Sequence, residues 1–455
     1  MDKFDFVSPI DFRYYDKRFA EFLSENARVR YQARVEAALA KALAKQKVCS
    51  ASVAKEISMA AENVKAVEVY GEEKRIKHDV RALANVLRSR VSKKAKPFVH
   101  LGATSYDIVD TASALRFKEA TEQLVVPSLK ALEKTLIKLS LRYKGTVQIG
   151  RTHGQHAVPI TFGFALSEYV SRLGNRINEI ERKKDSLPGK FSGAVGAYNA
   201  SSLVVPNPVK LEQDIMRSLG LQVSTHSTQI VEPESLADLM HAFVSAFSVL
   251  ANLADDLRHL QRSEISEVAE EFSSNQVGSS TMPHKRNPIN FENVKSLWKE
   301  FMPRMGTVYL DSVSEHQRDL TNSASARFLP EIVAGLVFAA GRLDGSCSKL
   351  VVDKKAMKEN FGKSKEAIVA EPLYIFLASH GHANSHEAVR KLTIKSIESG
   401  KGVLELAVEN KDLKPFLKLF SKKQLKLLEN PETYVGLSVK VTEAVCRHWK
   451  KELKL

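Results

Sequence analysis

The chain has 455 residues, longer than one hydrophobic core usually serves, and its apolar share of 44% can bury a large interior, so a globular protein of two or three domains is expected. No apolar run approaches the ~20 residues that span a bilayer, and the acidic opening MDKFDFVSPIDF lacks the basic start and apolar core of a secretory signal, so the expected location is cytoplasmic. Cys49, Cys347 and Cys446 are far apart with no CxxC spacing, which argues against a disulfide framework or a cysteine-held metal, while a net charge of +15 suits an anionic partner, either a nucleic acid or a small phosphate- and carboxylate-bearing substrate.

From the N-terminus, the first candidate is KHDVR, in which His78 and Asp79 stand before an apolar helical segment. Next comes HLGATSYDIVDT, where Thr104, Ser105 and Asp107 lie just ahead of a long helix and are the residue types that cap one. Leu129, Leu132, Leu136, Leu139 and Tyr143 then recur three and four apart, as a helix packed along one face requires. In GRTHGQHAVPITFG, His153 falls in a polar turn before a helix expected to begin near Pro159 or Ile160. There it is either a proton donor to a leaving group or a hydrogen-bonded core histidine. The spacing of His153 and His156 also permits a metal, but no HExxH pattern or nearby acidic ligand supports one.

Leu166, Leu173, Ile177 and Ile180 mark a further long helix, and Ser235–Gln261 is predicted as nearly four heptads of coiled-coil-like helix. GSSTMPHKRNPIN, residues 278–290, reads as a mobile anion-binding loop. Its glycine and serines can turn N–H groups toward a carboxylate, and Lys285 and Arg286 add charge that strengthens when water is expelled. In EHQRDLTNSASAR, Arg318 and Arg327 flank a polar turn with Ser323, suited equally to anion binding and to helix-end ion pairs. His380, His382 and His386 are placed at a helix entry rather than around a metal, and KDLKPFLKLFSKKQLKLLE is predicted as one amphipathic helix with a solvated lysine face.

Without a convincing run of alternating β-branched residues the fold class is all-α, with an N-terminal helical domain over 1–106, a central long-helix bundle over 107–355 and a C-terminal helical domain over 356–455. A long apolar seam outside a membrane has to be covered by other helices, which other subunits can also supply.

Taken in order, these blocks resemble the fumarase/aspartase superfamily, whose GSSxMPxKxNP loop is closely matched by GSSTMPHKRNP. Within it, SPIDFRYYD, KHDVRA, HLGATSYDIVDTA, GRTHGQHAVPITFG, SSTMPHKRNP and EHQRDLTNSASAR are similar to the adenylosuccinate lyase branch, over residues 8 to beyond 327. The resemblance implies a homotetramer built on a twenty-helix bundle, with each active site drawn from three subunits. It also implies elimination of fumarate from a succinylated purine nucleotide: a base takes the proton beside a carboxylate, an aci-carboxylate forms, and an acid protonates the departing nitrogen.

Carried over by motif, Ser279 is the implied base with Ser280 beside it, His153 the acid, Lys285 and Asn287 the holders of the fumaryl carboxylates, and Glu292 the acid that orients the site. His78 and His100 are implied to meet the phosphate and support His153. Arg13 and Tyr14 are implied phosphate and base contacts, Asp79 a ligand contact, and Thr104 and Ser105 carboxylate contacts. Gln229, Arg318, Ser323 and Arg327 complete the implied substrate contacts. No metal or organic cofactor, nucleic acid or membrane is called for. The family also cleaves the succinyl carboxamide intermediate of purine synthesis, so two substrates are implied. One departure stands out: IVEPESLAD follows Gln229 where many relatives carry a QRDR-like stretch. Sister activities such as argininosuccinate lyase or fumarase share the loop, but TSYDIVDT and KRNP favour the nucleotide substrate. A non-catalytic structural or nucleic-acid-binding relative is the reading from another class.

Overall fold

The computed structural model describes residues 5–273 and 275–455; Met1–Phe4 of the opening stretch and Ser274 of the Gly/Ser-rich loop lie outside it. The chain is all-α in class, its long helices falling where the apolar periodicity predicts. Glu234–Leu260 runs for 27 residues, and Leu239, Met240, Phe243, Ala246, Phe247 and Leu250 form its buried stripe. By length and composition this helix would pass for a membrane span, contrary to the expectation from the sequence, yet 67% of its most apolar window is buried inside the protein, as in a core helix. Glu25–Lys45, Val126–Arg142, Phe162–Asp185 and Leu329–Ser348 are further long helices.

Two compact units are present. The first comprises Met1–Leu132, Asn175–Asn252 and Asn293–Leu343, the second Glu133–Gly174, Leu253–Glu292 and Asp344–Leu455. In the first, helix Glu25–Lys45 packs against Ala51–Glu62 and Ser105–Ala120 around Leu39, Leu43, Ile57, Leu83 and Leu87. Both of its leading helices start where a serine caps them: Ser24 accepts the Ala27 N–H at 3.1 Å, and Ser50 that of Val53 at 3.3 Å.

The second unit departs from expectation twice. The residues around His153 form an antiparallel hairpin, Val147–Thr152 with Gln155–Thr161, and the next helix begins at Phe162 rather than near Pro159. The turn is His153-Gly154, both with positive φ (54° and 72°), the conformation a two-residue hairpin turn demands and the reason glycine follows the histidine. The lysine-rich stretch is also not one helix but two, Lys414–Leu417 and Lys422–Glu429. Ser421 breaks it, its hydroxyl capping the Gln424 N–H at 3.3 Å while the Gln424 side chain accepts the Ser421 N–H at 2.8 Å. Its lysines are solvated as expected, and Leu413, Phe420 and Leu428 join a satellite core with Leu373, Leu377 and Leu406. His380 and His382 stack near Phe420 and Phe416, and His386 meets Tyr374, so these rings are packed as aromatics.

Candidate active site

A cavity of about 650 Å³ opens in the first unit, and His78, Asp79, Ser105, Gln229, Arg318, Ser323 and Arg327 all line it. Two helix starts aim residues into it. Helix Asp79–Ser89 begins after His78, whose Nδ1 accepts the Arg81 N–H at 3.3 Å, so the histidine is both cap and cavity wall. Helix Ser105–Ala120 begins after Thr104, whose N–H goes to Asp107 at 2.8 Å. Asp107 is fully buried and also accepts the N–H groups of Ser192 (3.1 Å) and Gly193 (3.2 Å) and an ion pair from buried Lys190, so the helix start is tied to the 188–193 segment.

The cations of the cavity are held but not exhausted. Arg318 lies over the Tyr106 ring at 5.3 Å and reaches Asn322, and its buried Nε–H has no partner among the described residues, a donor suited to an anionic ligand. Arg327 stands 3.8 Å from Glu25, which also pairs with Arg28 at 3.5 Å and accepts the Tyr70 hydroxyl at 2.5 Å. Asp110, also in the wall, takes the Val231 N–H at 3.0 Å; burial pushes its carboxyl up to about 6 against the pull of that bond and of Lys190 and Arg318. Val231 belongs to the unusual IVEP stretch, and Ile230, Val231, Glu232 and Pro233 together line the cavity, so the departure falls on its wall.

His100 and Thr104 stand behind that lining rather than in it. His100 sits with φ 61° and binds buried Glu36 twice, Nδ1 at 2.6 Å and the backbone N–H at 3.1 Å. Burial opposes a charge on its ring, but the Glu36 carboxylate prevails and its pKa is raised. Arg13 is exposed, and Tyr14 packs edge-on against Phe338 at 5.2 Å; neither lines the cavity.

The remaining expected residues, His153, Ser279, Ser280, Lys285, Asn287 and Glu292, belong to the second unit. His153 is exposed at the hairpin tip in a left-handed conformation that L-residues adopt at a cost of roughly 1 kcal/mol, the kind of local strain found at functional sites. The 278–287 loop folds on itself. The Ser279 Oγ accepts N–H bonds from Thr281 (3.3 Å) and Met282 (3.1 Å), and the Asn287 amide donates to the Gly278 carbonyl at 3.1 Å. Gly278 is required there, since a Cβ would fall 2.0 Å from the Lys285 carbonyl oxygen. Lys285, Ser280 and Glu292 are exposed, and no hydrogen bond joins His153 to Ser279. Among the described residues no group of three His, Cys, Asp or Glu side chains is placed to hold a metal ion.

Sequence reasoning missed Glu36, Asp110, Glu267 and Glu270. Glu36 had a signal, a lone acid on the buried stripe of ARVEAALA. Glu270 caps the helix after the loop, its carboxylate taking the N–H groups of Asn290 (2.9 Å) and Phe291 (2.8 Å), and only the folded chain brings it there.

Residues 13–300 match the family model for lyases, and 314–435 match that of the adenylosuccinate lyase C-terminal region. Among relatives, the adenylosuccinate lyase of Pyrococcus horikoshii is 36% identical over 97% of this chain and 98% of its own, and that of Archaeoglobus fulgidus 32% identical over 98% and 99%. Of solved structures, 3-carboxy-cis,cis-muconate lactonizing enzyme from Pseudomonas putida superposes with a TM-score of 0.83 at 23% identity, covering 98% of this chain and 99% of that one, a likeness of fold.

Proposed function

Because this chain belongs to the adenylosuccinate lyase family, we infer that it eliminates fumarate from adenylosuccinate to give AMP, and from the succinyl-aminoimidazole carboxamide ribotide to give AICAR, in purine nucleotide biosynthesis. The observation that carries the reading is the environment of Ser279. A serine is a poor base until its alkoxide is stabilised, and two backbone N–H groups already point at its Oγ, with Lys285 on the same loop to add charge. Among the described residues no such pair of donors meets Ser280, which favours Ser279 as the base.

In this reading Ser279 takes the proton from the succinyl carbon beside a carboxylate, and Lys285 and Asn287 hold the carboxylates as the aci-carboxylate dianion forms. His153 then gives its proton to the departing nitrogen, the C–N bond breaks and fumarate leaves. Glu292 orients this end of the site. The phosphate takes Arg318, Ser323, Arg327 and His78 at the cavity, with Arg13, Tyr14, Asp79, Thr104, Ser105 and Gln229 as further contacts and His100 supporting the acid.

The enzyme acts as a homotetramer with active sites shared between subunits. What supports this is membership of the family, whose resemblance implies a shared site. The three-segment division at 106 and 355, and a cytoplasmic location, complete the reading. The decisive assay follows adenylosuccinate loss and fumarate appearance by absorbance, with argininosuccinate and malate as comparison substrates. Turnover of either comparison substrate alone would assign a sister activity, and no turnover of any would point to a non-catalytic relative.

A further inference from the structure

Glu267 is fully buried in the second unit, outside every motif that carries the chemistry, and three side chains from two segments converge on its carboxylate. The Gln148 amide donates to Oε2 at 2.7 Å, the Arg151 guanidinium forks across both oxygens at 2.5 and 3.3 Å, and the Asn360 amide reaches Oε1 at 3.0 Å. A buried carboxylate is costly unless paired and hydrogen-bonded, and this one is both.

Two of those donors come from the hairpin strand that leads to His153. Residues 148 and 151 are an odd number apart, so in a regular strand they face opposite sides. That regularity is broken where the register shifts between Ile149 and Arg151: Gly150 stands opposite two residues of the other strand, Ala157 and Val158, and on either side of this bulge Gln148 and Arg151 both reach Glu267. Gly150 is the residue that allows it, because a Cβ there would fall 2.6 Å from the Val158 carbonyl oxygen. Arg151 is two residues from His153, and only the pair Thr152–Gln155 separates the anchored position from the turn.

We propose that Glu267 is a positioning residue for the general acid, its buried carboxylate locking the strand opposite the bulge and so fixing where the hairpin tip presents His153. The inference rests on the reading of His153 as the acid that protonates the leaving nitrogen. Glu267 touches no substrate and acts through the register of residues 148–153. A bidentate Arg–carboxylate pair fixes direction as well as distance, as an acid that must meet one nitrogen requires.

The test is a double-mutant cycle on the full-length enzyme, with Glu267→Gln made in the wild-type and His153→Ala backgrounds and kcat and KM measured for adenylosuccinate. Glu267→Gln is expected to lower kcat ~10- to 100-fold, the cost of misplacing a catalytic group by about an ångström, while KM moves much less. In the His153→Ala background it should cost almost nothing further, because the group it positions is gone. Equal losses in both backgrounds would mark Glu267 as a general prop of the fold and overturn the proposal, as would a wild-type kcat in the single variant. Near-normal turnover by His153→Ala alone would instead sink the acid reading and this proposal with it, a separable result. If Glu267→Gln does not fold, Arg151→Gln cuts the same link and the same cycle decides.

Discussion

Glu133 lies on the Val126–Arg142 helix with no exposed surface, and among the described residues neither of its carboxylate oxygens has a hydrogen-bond partner. Cys446 nearby is pushed up to about 11, first by burial and then by the charge of Glu133, against the pull of a hydrogen bond with the buried Ser140 hydroxyl two turns further along the helix. Burial alone raises the Glu133 carboxyl from 4.5 to about 9, so at neutral pH the folded chain keeps a proton that the unfolded chain has lost. The folded state binds more protons between those two values, and stability therefore falls as pH rises from about 4.5 to about 9. At pH 7.5, three units above the ordinary value, the cost is about 4 kcal/mol at ~1.4 kcal/mol per unit. Glu133→Gln removes that proton uptake and keeps the shape. The extra buried N–H returns ~1–2 kcal/mol of the gain, leaving a stabilisation of about 2–3 kcal/mol. For 455 residues this corresponds to roughly 1 °C in Tm per kcal/mol. Thermal unfolding followed by calorimetry at pH 5.5, 7.0 and 8.5 should show the variant level with the wild type at the lowest pH and melting higher at the other two, by a margin that widens with pH. A margin constant across the three pH values, or a variant that melts lower at pH 8.5, would refute the account of Glu133 as a buried neutral acid.

Ser279→Ala and His153→Ala should each reduce kcat by ~10² to 10⁴, as loss of a base or an acid does, with stopped assays on purified enzyme sensitive enough to see the remainder. Arg318→Ala and Arg327→Ala remove charged donors worth ~1.5–3 kcal/mol each, so KM for adenylosuccinate should rise by about 10- to 100-fold while KM for its dephosphorylated nucleoside changes little; equal effects on both would remove these arginines from the phosphate. Asp107→Ala leaves Lys190 buried and unpaired and should destabilise the first unit by ~3–5 kcal/mol, read as a lowered melting temperature that Asp107→Ala/Lys190→Met largely restores. Gly150→Ala should abolish the bulge by its clash with Val158 and lower both stability and kcat.

By itself the sequence determined the long helices, because their information is local and periodic. Apolar residues three and four apart mark the buried face of Glu234–Leu260 whatever surrounds it, and Ser24, Ser50 and Thr104 begin helices through bonds that span three residues. It also determined the kinds of residue the chemistry uses, since the hydroxyls and cations of residues 278–287 lie side by side in the chain. Tertiary structure alone decided that seven expected ligand residues, spread from His78 to Arg327, share one cavity, and that the IVEP stretch forms part of its wall. It decided, too, that the His153 segment bends into a bulged hairpin held by Glu267, more than a hundred residues away along the chain. A buried carboxylate is recognisable only by the donors that compensate it, and those donors meet it only once distant segments have packed.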